Sequence, residues 1–211
     1  RSSAASDVYK RQDDSPRELV LPVPGEHMAL NALAALIAVR DYGGDVSEAL
    51  EALTHFGGVN RRFQYHGHVG GIRVYDDYAH HPTEARAVLT AAREVADADA
   101  QGLGHPGRVI VCFQPHLFSR TEQFAEEFAK ALDLADYAIV LDIYGAREKP
   151  IPGVTSELIT TQLTIPHKYQ PDFSKVPYDV AAIAEPGDIV LTMGAGNVTM
   201  EADAVIALLK G

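Results

Sequence analysis

Residues 72–84 read IRVYDDYAHHPTE, and this stretch decides the fold. Residues 72–76 are a short apolar run that ends in adjacent carboxylates, Asp76 and Asp77. Pro82 suits the first position of a helix and Glu84 its first turn. Behind them Ala85, Val88, Leu89 and Ala92 keep a helical period. The stretch is therefore a strand, a polar turn and a helix. The same unit recurs downstream. Apolar runs fall at 109–113, 137–142, 167–170 and 188–193, and helical periods near 83–95, 120–134, 155–163, 176–184 and 199–209. Strands alternating with helices predict an α/β fold with an open, mostly parallel sheet. On the upstream side, 63–69 and 72–75 flank Gly70-Gly71, the pattern of a hairpin. Residues 96–107, rich in Gly, Ala and Asp, read as a surface loop.

Further upstream the pattern changes. Residues 27–40 (HMALNALAALIAVR) are apolar almost all round, which predicts a buried helix. Its polar interruptions, His27 and Asn31, are spaced to share one face. Asp45-Val46-Ser47-Glu48 is a capping box before Val46, Ala49, Leu50 and Leu53, an amphipathic helix. Phe56-Gly57-Gly58-Val59 then marks a boundary or hinge. The expected organisation is a disordered or non-native leader over 1–15, helices over 16–59 and a sheet domain over 60–211. The chain starts with Arg rather than Met and reads as a fragment.

Composition narrows the partners. The net charge of −11 argues against a general nucleic-acid or anionic-membrane surface, since both demand a basic face. No apolar run has the ~18 residues of a membrane span. The single cysteine, Cys112, excludes an internal disulfide framework and fits a reducing cytoplasm.

In open α/β sheets ligands bind beyond the carboxyl ends of the strands. The segments that follow the strands here are DDYAHHPTE, QPHLFSR, Asp142-Ile143-Tyr144 and Gly194-Ala195-Gly196-Asn197. All of them fall on one edge. Asp76 and Asp77 can accept from sugar hydroxyls or hold a cation, and His80 and His81 can donate to a carboxylate or carry a proton. The plainer alternative is a helix start with polar caps, but caps need fewer such groups. Zinc held by adjacent histidines is a rival reading, opposed by side chains that point apart. His116 and Arg120 emerge at a strand end and a helix start. Arg120 can clamp a carboxylate in bidentate fashion, or be a solvated surface cation. Gly194-Ala195-Gly196 lacks the third glycine of a dinucleotide fingerprint and is better read as a tight backbone turn. Arg61-Arg62 could meet phosphate or be an exposed basic pair. Asn31 could pair with an adenine edge or be a satisfied core amide. Cys112 reads as a buried strand residue.

Taken in order, Gly25-Glu26-His27…Asn31-Ala32, Phe56-Gly57-Gly58…Arg61-Arg62-Phe63, DDYAHHPTE, FQPHLFSRT, Asp142-Ile143-Tyr144 and MGAGNV resemble the Mur ligase family over about residues 20–209. The resemblance implies a Rossmann-like C-terminal domain with helices on both faces of the sheet, preceded by the last helices of a central ATP-binding domain. It implies ATP-driven joining of L-alanine to UDP-N-acetylmuramate through an acyl phosphate, in cell-wall precursor synthesis. By the same resemblance His27 and Asn31 meet adenine, Arg62 the phosphates and Asp77 the ribose. Tyr78, His80, His116 and Arg120 line the amino-acid end, where His80, His116 and Arg120 are the expected catalytic residues. No GxxxxGK[ST] occurs, so the phosphate cradle and the magnesium ligands are expected in domains outside this chain, and the chain alone is expected to be inactive. Met28, Leu117 and Asn197 depart from the family pattern, and Leu117 costs a cation at the amino-acid end. The alternatives are a free-standing nucleotide-binding module and an inactive truncated fragment.

Overall fold

The computed structural model describes residues 7–10, 16–98 and 107–211. The chain divides into two compact units, residues 1–59 and 60–211.

In the first unit β1 (Asp7–Lys10) pairs antiparallel with β2 (Pro16–Leu19), followed by α1 (Glu26–Asp41) and α2 (Val46–Thr54). Residues 7–10, expected within a disordered or non-native leader, form a strand paired with β2. The rest of that leader, 1–6 and 11–15, lies outside the described residues. Asp45 caps α2 as its sequence predicts, accepting from the Ser47 amide at 2.6 Å and the Glu48 amide at 3.4 Å. Leu19, Leu21, Ala29, Ala32, Leu36 and Val46 form the core of this unit. Only one face of α1 enters it. Leu30, Ala34, Ala35 and Ala38 are exposed, so the expectation of a helix buried on every side fails. Within this unit β2 and α2 are what cover α1, and together they cover one stripe.

The second unit is a six-stranded sheet. β3 (Gln64–Val69) and β4 (Ile72–Asp77) form the hairpin through Gly70-Gly71, and the order continues β4-β8-β5-β6-β7. Here β5 is Val109–Phe113, β6 Tyr137–Leu141, β7 His167–Gln170 and β8 Ile189–Met193. Every pairing from β4 to β7 is parallel, and only β3 runs antiparallel. Parallel strands sandwiched by helices are apolar on both faces. In β5, Val109, Val111 and Phe113 face one core and Ile110 and Cys112 the other. The first core is closed by α3 (Pro82–Ala98), α4 (Phe118–Leu132) and the single turn α5 (Glu157–Thr160). The second is closed by α6 (Val176–Ile183) and α7 (Met200–Leu209). The helix expected over 155–163 shrinks to that one turn. Residues 96–98, expected in a loop, extend α3, because Ala96 packs into the core; 99–106 lie outside the described residues.

Candidate active site

The parallel strands β4, β8, β5 and β6 end on one edge, and the polar segments that follow them meet there. Two buried carboxylates organise the edge from within. Asp76, fully buried, accepts from Thr192 Oγ1 at 2.6 Å, Thr199 Oγ1 at 2.8 Å and Arg61 Nε at 3.3 Å. Arg61 Nη2 also donates to the Gly194 carbonyl at 2.5 Å and to that of Gly196 at 3.3 Å. Its guanidinium lies 4.6 Å from the centre of the Tyr78 ring. Arg61 is therefore committed to holding β4 against the turn after β8. The exposed Arg62, 5.9 Å over the same ring, is the cation free to meet an anion. Arg61 and Phe63 adopt left-handed backbone (φ 58° and 46°), a conformation that costs non-glycine residues energy and is held here by these contacts.

Asp77 is 1% exposed. Its Oδ2 accepts from the Phe63 amide and its Oδ1 from the Ala79 amide, each at 2.7 Å. Burial pushes its pKa up to about 6, with those amides and Arg62 pulling the other way and Asp76 adding to the rise. Both oxygens thus hold the chain where the resemblance places a ribose contact. Such a contact has only the second lone pair of each oxygen to use.

The His80 turn is pinned at several atoms. Glu84 Oε2 accepts from the His80 amide at 3.0 Å and the His81 amide at 3.2 Å. Arg120 Nη1 donates to the His80 carbonyl at 3.2 Å. His80 Nδ1 lies 3.0 Å from the Tyr78 carbonyl oxygen and 3.4 Å from Glu84 Oε2. Burial pushes Glu84 up, but the two amides and the charges of His80 and Arg62 outweigh it and hold the carboxyl below its usual range. The two histidines diverge. The His81 ring packs on Phe124 at 5.1 Å, whereas the His80 ring meets His116 at 5.7 Å. Among the described residues no three His, Cys, Asp or Glu side chains gather as a metal-ligand set.

Tyr144 stacks on the His116 ring at 5.7 Å and 21°. The backbone fixes that stack, because Tyr144 N donates to the Pro115 carbonyl at 2.8 Å and Leu117 N to the Tyr144 carbonyl at 2.9 Å. Leu117 sits at φ 73° as it begins α4, and this left-handed turn sends His116 and Arg120 toward His80. His116 Nδ1 is 3.5 Å from Arg120 Nη1. Burial lowers the His116 pKa, the neighbouring charges of Arg120 and His80 lower it further, and Glu148 opposes them, so the ring is neutral near pH 7. Glu148 also anchors α4, accepting from the Ser119 amide at 3.0 Å.

The glycine turn after β8 is a tight backbone turn. The buried Gln114 accepts the Val198 amide at 3.1 Å through Oε1 and donates from Nε2 to Asn197 Oδ1 at 2.9 Å. A Cβ at Gly196 would stand 2.2 Å from Gln114 Oε1 and 2.8 Å from Tyr144 Cγ. The Val198 amide is thus held by Gln114 rather than left open to a phosphate. Cys112 is buried, and burial raises its thiol pKa, as suits a core strand residue.

The structure brings Tyr78, His80, His116 and Arg120 together: the Tyr78 and His80 rings are 5.1 Å apart, edge to face. His27 and Asn31 lie in the other unit, on α1, with Asn31 exposed. Sequence reasoning assigned no role to Tyr144, Gln114 or Glu148, and gave Glu84 only a helix-start role. For Tyr144 the signal was present, an aromatic directly beyond a strand end on the edge already identified.

A fold of this kind, with its titratable groups on the carboxyl edge, is matched by the family model described as "Mur ligase, glutamate ligase domain" over residues 61–196, and the chain belongs to the Mur ligase family. Within the family it is similar to UDP-N-acetylmuramate–L-alanine ligase of Rhodococcus opacus, 55% identical over 205 residues, covering 94% of this chain and 41% of the relative. The ligase of the same name from Mycolicibacterium smegmatis is 49% identical over 209 residues, covering 99% of this chain and 42% of the relative. The crystal structure of UDP-N-acetylmuramate-alanine ligase MurC from Thermotoga maritima superposes with a TM-score of 0.72 at 32% identity, covering 90% of this chain and 39% of that one. The chain thus spans about two-fifths of the length of these relatives. No helix of the described residues is long and apolar enough to cross a membrane.

Proposed function

We propose that this chain is the C-terminal part of an ATP-dependent ligase that joins L-alanine to UDP-N-acetylmuramate in peptidoglycan precursor synthesis. The observation that carries the reading is the convergence of His80, His116 and Arg120 on one sheet edge in a chain 55% identical to an L-alanine ligase. ATP, when bound with magnesium, supplies the phosphoryl group that activates the muramate carboxyl. The chain's own residues bind and orient. Arg120 is half-buried beside two imidazoles, where a guanidinium fork suits an α-carboxylate. Tyr78 stands edge to face with His80 and Tyr144 stacks on His116.

Toward the nucleotide, the exposed Arg62 would meet phosphate, and Asp77 the ribose by its remaining lone pairs. Asn31, exposed on α1, offers an amide that can both donate to and accept from adenine; His27 lies on the same helix. The magnesium ligands would come mostly from the central domain of the ligase, since magnesium is held by one or two carboxylates together with the nucleotide phosphates. Residues 16–59 are then the last helices of that domain and 60–211 the amino-acid-presenting domain, acting in the cytoplasm. The partners are UDP-N-acetylmuramate, L-alanine and the preceding ligase domains, without which the chain does not turn over.

The test mixes this chain with a separately expressed UDP-sugar and P-loop portion of the ligase, and follows phosphate release that depends on both L-alanine and UDP-N-acetylmuramate. Turnover should appear only in the mixture. Arg120→Ala should raise the KM for L-alanine about ten- to hundredfold, the worth of a charge-assisted hydrogen bond. Turnover by the chain alone, or a mixture silent with both parts folded, overturns the reading.

A further inference from the structure

We propose that Glu84 and Arg120 lock His80 and His116 in opposite tautomers, so that His80 Nε2 takes the proton of the incoming α-ammonium group while His116 Nε2–H holds the anionic end. The inference rests on the ligase reading and assigns the proton traffic within that site.

The tautomers follow from what each neighbour can do. A carbonyl and a carboxylate only accept, so His80 Nδ1, 3.0 Å from the Tyr78 oxygen and 3.4 Å from Glu84 Oε2, carries the hydrogen. Its Nε2 then has a lone pair. A guanidinium only donates, so His116 Nδ1, 3.5 Å from Arg120 Nη1, presents its lone pair, and the hydrogen is on Nε2. Among the described residues neither Nε2 makes a hydrogen bond, and neither is a buried orphan, so both are open to a ligand. The rings are 5.7 Å apart. One site therefore offers a proton acceptor and, beside it, a neutral donor next to a fixed cation. An amino-acid zwitterion needs that pairing.

The charged and titratable groups around the pair are Tyr78 and Glu84 at His80, Tyr144 and Glu148 at His116, and Arg120 at both, with Arg62 acting on Glu84. Glu84 is the positioning residue, since one oxygen holds the His80 amide, the His81 amide and the His80 ring. In the reaction the α-ammonium gives one proton to His80 Nε2. The freed nitrogen pair attacks the carbonyl of the acyl phosphate, the carbon–oxygen bond to phosphorus breaks, and phosphate leaves carrying the second amine proton. His80 returns its proton to water.

The experiment is long-range proton–nitrogen NMR on the full chain labelled with 15N-histidine, which distinguishes the two neutral tautomers by the shifts of both ring nitrogens. The expected spectrum has His80 in the Nδ1–H form and His116 in the Nε2–H form above pH 7. Glu84→Ala leaves the Tyr78 carbonyl alone to hold Nδ1–H and should admit a measurable share of the Nε2–H form, and Glu84→Gln, which keeps an accepting oxygen, should restore the original form. In the two-part turnover assay His80→Gln should lower kcat by about a hundredfold, the usual scale of a general base, whereas His116→Gln should act mainly on the KM for L-alanine. Like tautomers, or a His80 signal indifferent to Glu84→Ala, overturn the lock while turnover in the mixture leaves the ligase reading standing. A kcat unaffected by His80→Gln overturns the proton assignment. Locked tautomers with a silent mixture sink the ligase reading and the proton assignment together.

Discussion

Asp77→Asn gives a sharp test of how this edge is held. In the wild type burial raises the carboxyl from 3.8 to about 6, although two amides at 2.7 Å favour the ionised form. The sign follows from linkage. A carboxyl with a raised folded pKa binds its proton more tightly in the fold, so its contribution to stability grows as pH falls. At pH 7 the group is ionised in both states and adds almost nothing. At pH 5 it is about nine-tenths protonated in the fold and ionised in the unfolded chain, a tenfold advantage worth about 1.4 kcal/mol. The gain levels off near 3 kcal/mol, in round terms, below the unfolded value. Asparagine cannot titrate, and its NH2 must face one of the two amides, so the variant starts with a cost of about 1–3 kcal/mol for an unpaired buried donor. The assay is hydrogen exchange of the slowest amides in β4, β5 and β8, which open with the whole sheet unit, at pH 7 and pH 5. The wild-type advantage over the variant should widen by about 1.4 kcal/mol between the two. A constant difference, or one that narrows on acidification, would show that the amides outweigh burial and refute the reasoning.

Arg61→Ala strips Asp76 of the one cation that pairs with it among the described residues while the carboxylate stays buried, and should cost about 3 kcal/mol in urea unfolding of the sheet unit. Arg62→Ala, one residue on, should leave that stability within about 0.5 kcal/mol, because its side chain is exposed. Gly196→Ala places a methyl against Gln114 and Tyr144 and should cost about 1–3 kcal/mol, with the His116 ring signals displaced along with Tyr144. Cys112 should resist alkylation in the native chain and react only across the unfolding transition, since its thiol is buried and its pKa is raised.

The fold was legible because its signals are periodic. Strands at 109–113 and 167–170 fall where the apolar runs put them, and the Gly70-Gly71 hairpin forms as read. What failed depended on tertiary context. Nothing in residues 27–40 says how much of an apolar helix its own unit can cover, and residues 7–10 became a strand only through a partner beyond the next stretch of chain. At the site, residue types and the shared edge were readable from sequence and topology. The division of labour between Arg61 and Arg62 was not. Both are adjacent cations, and only the left-handed turn at Arg61 and the buried Asp76 tell them apart.

Burial sorts the ionisable groups on this edge by what they can do. Asp76 and Asp77 are closed to solvent and already accept from the chain, Asp76 from two hydroxyls and Arg61, Asp77 from two amides. Such groups cost too much to desolvate to be kept without partners, and what they offer a ligand is a lone pair beyond those already engaged. His80, His116 and Arg120 are half-buried, and both imidazoles keep a nitrogen unengaged by the described residues. That exposure lets a substrate reach them, and the carboxylates behind them supply the rigidity that their loops lack. Leu117 fits the same division. Its left-handed backbone, not its side chain, is what aims His116 and Arg120, so the geometry of the rest does not depend on which side chain stands there. The consequence is that Leu117→Arg should strengthen the hold on an anionic substrate without moving His116, a lower KM read in the two-part assay. A displaced His116–Tyr144 stack in that variant would show that the leucine side chain itself sets the turn.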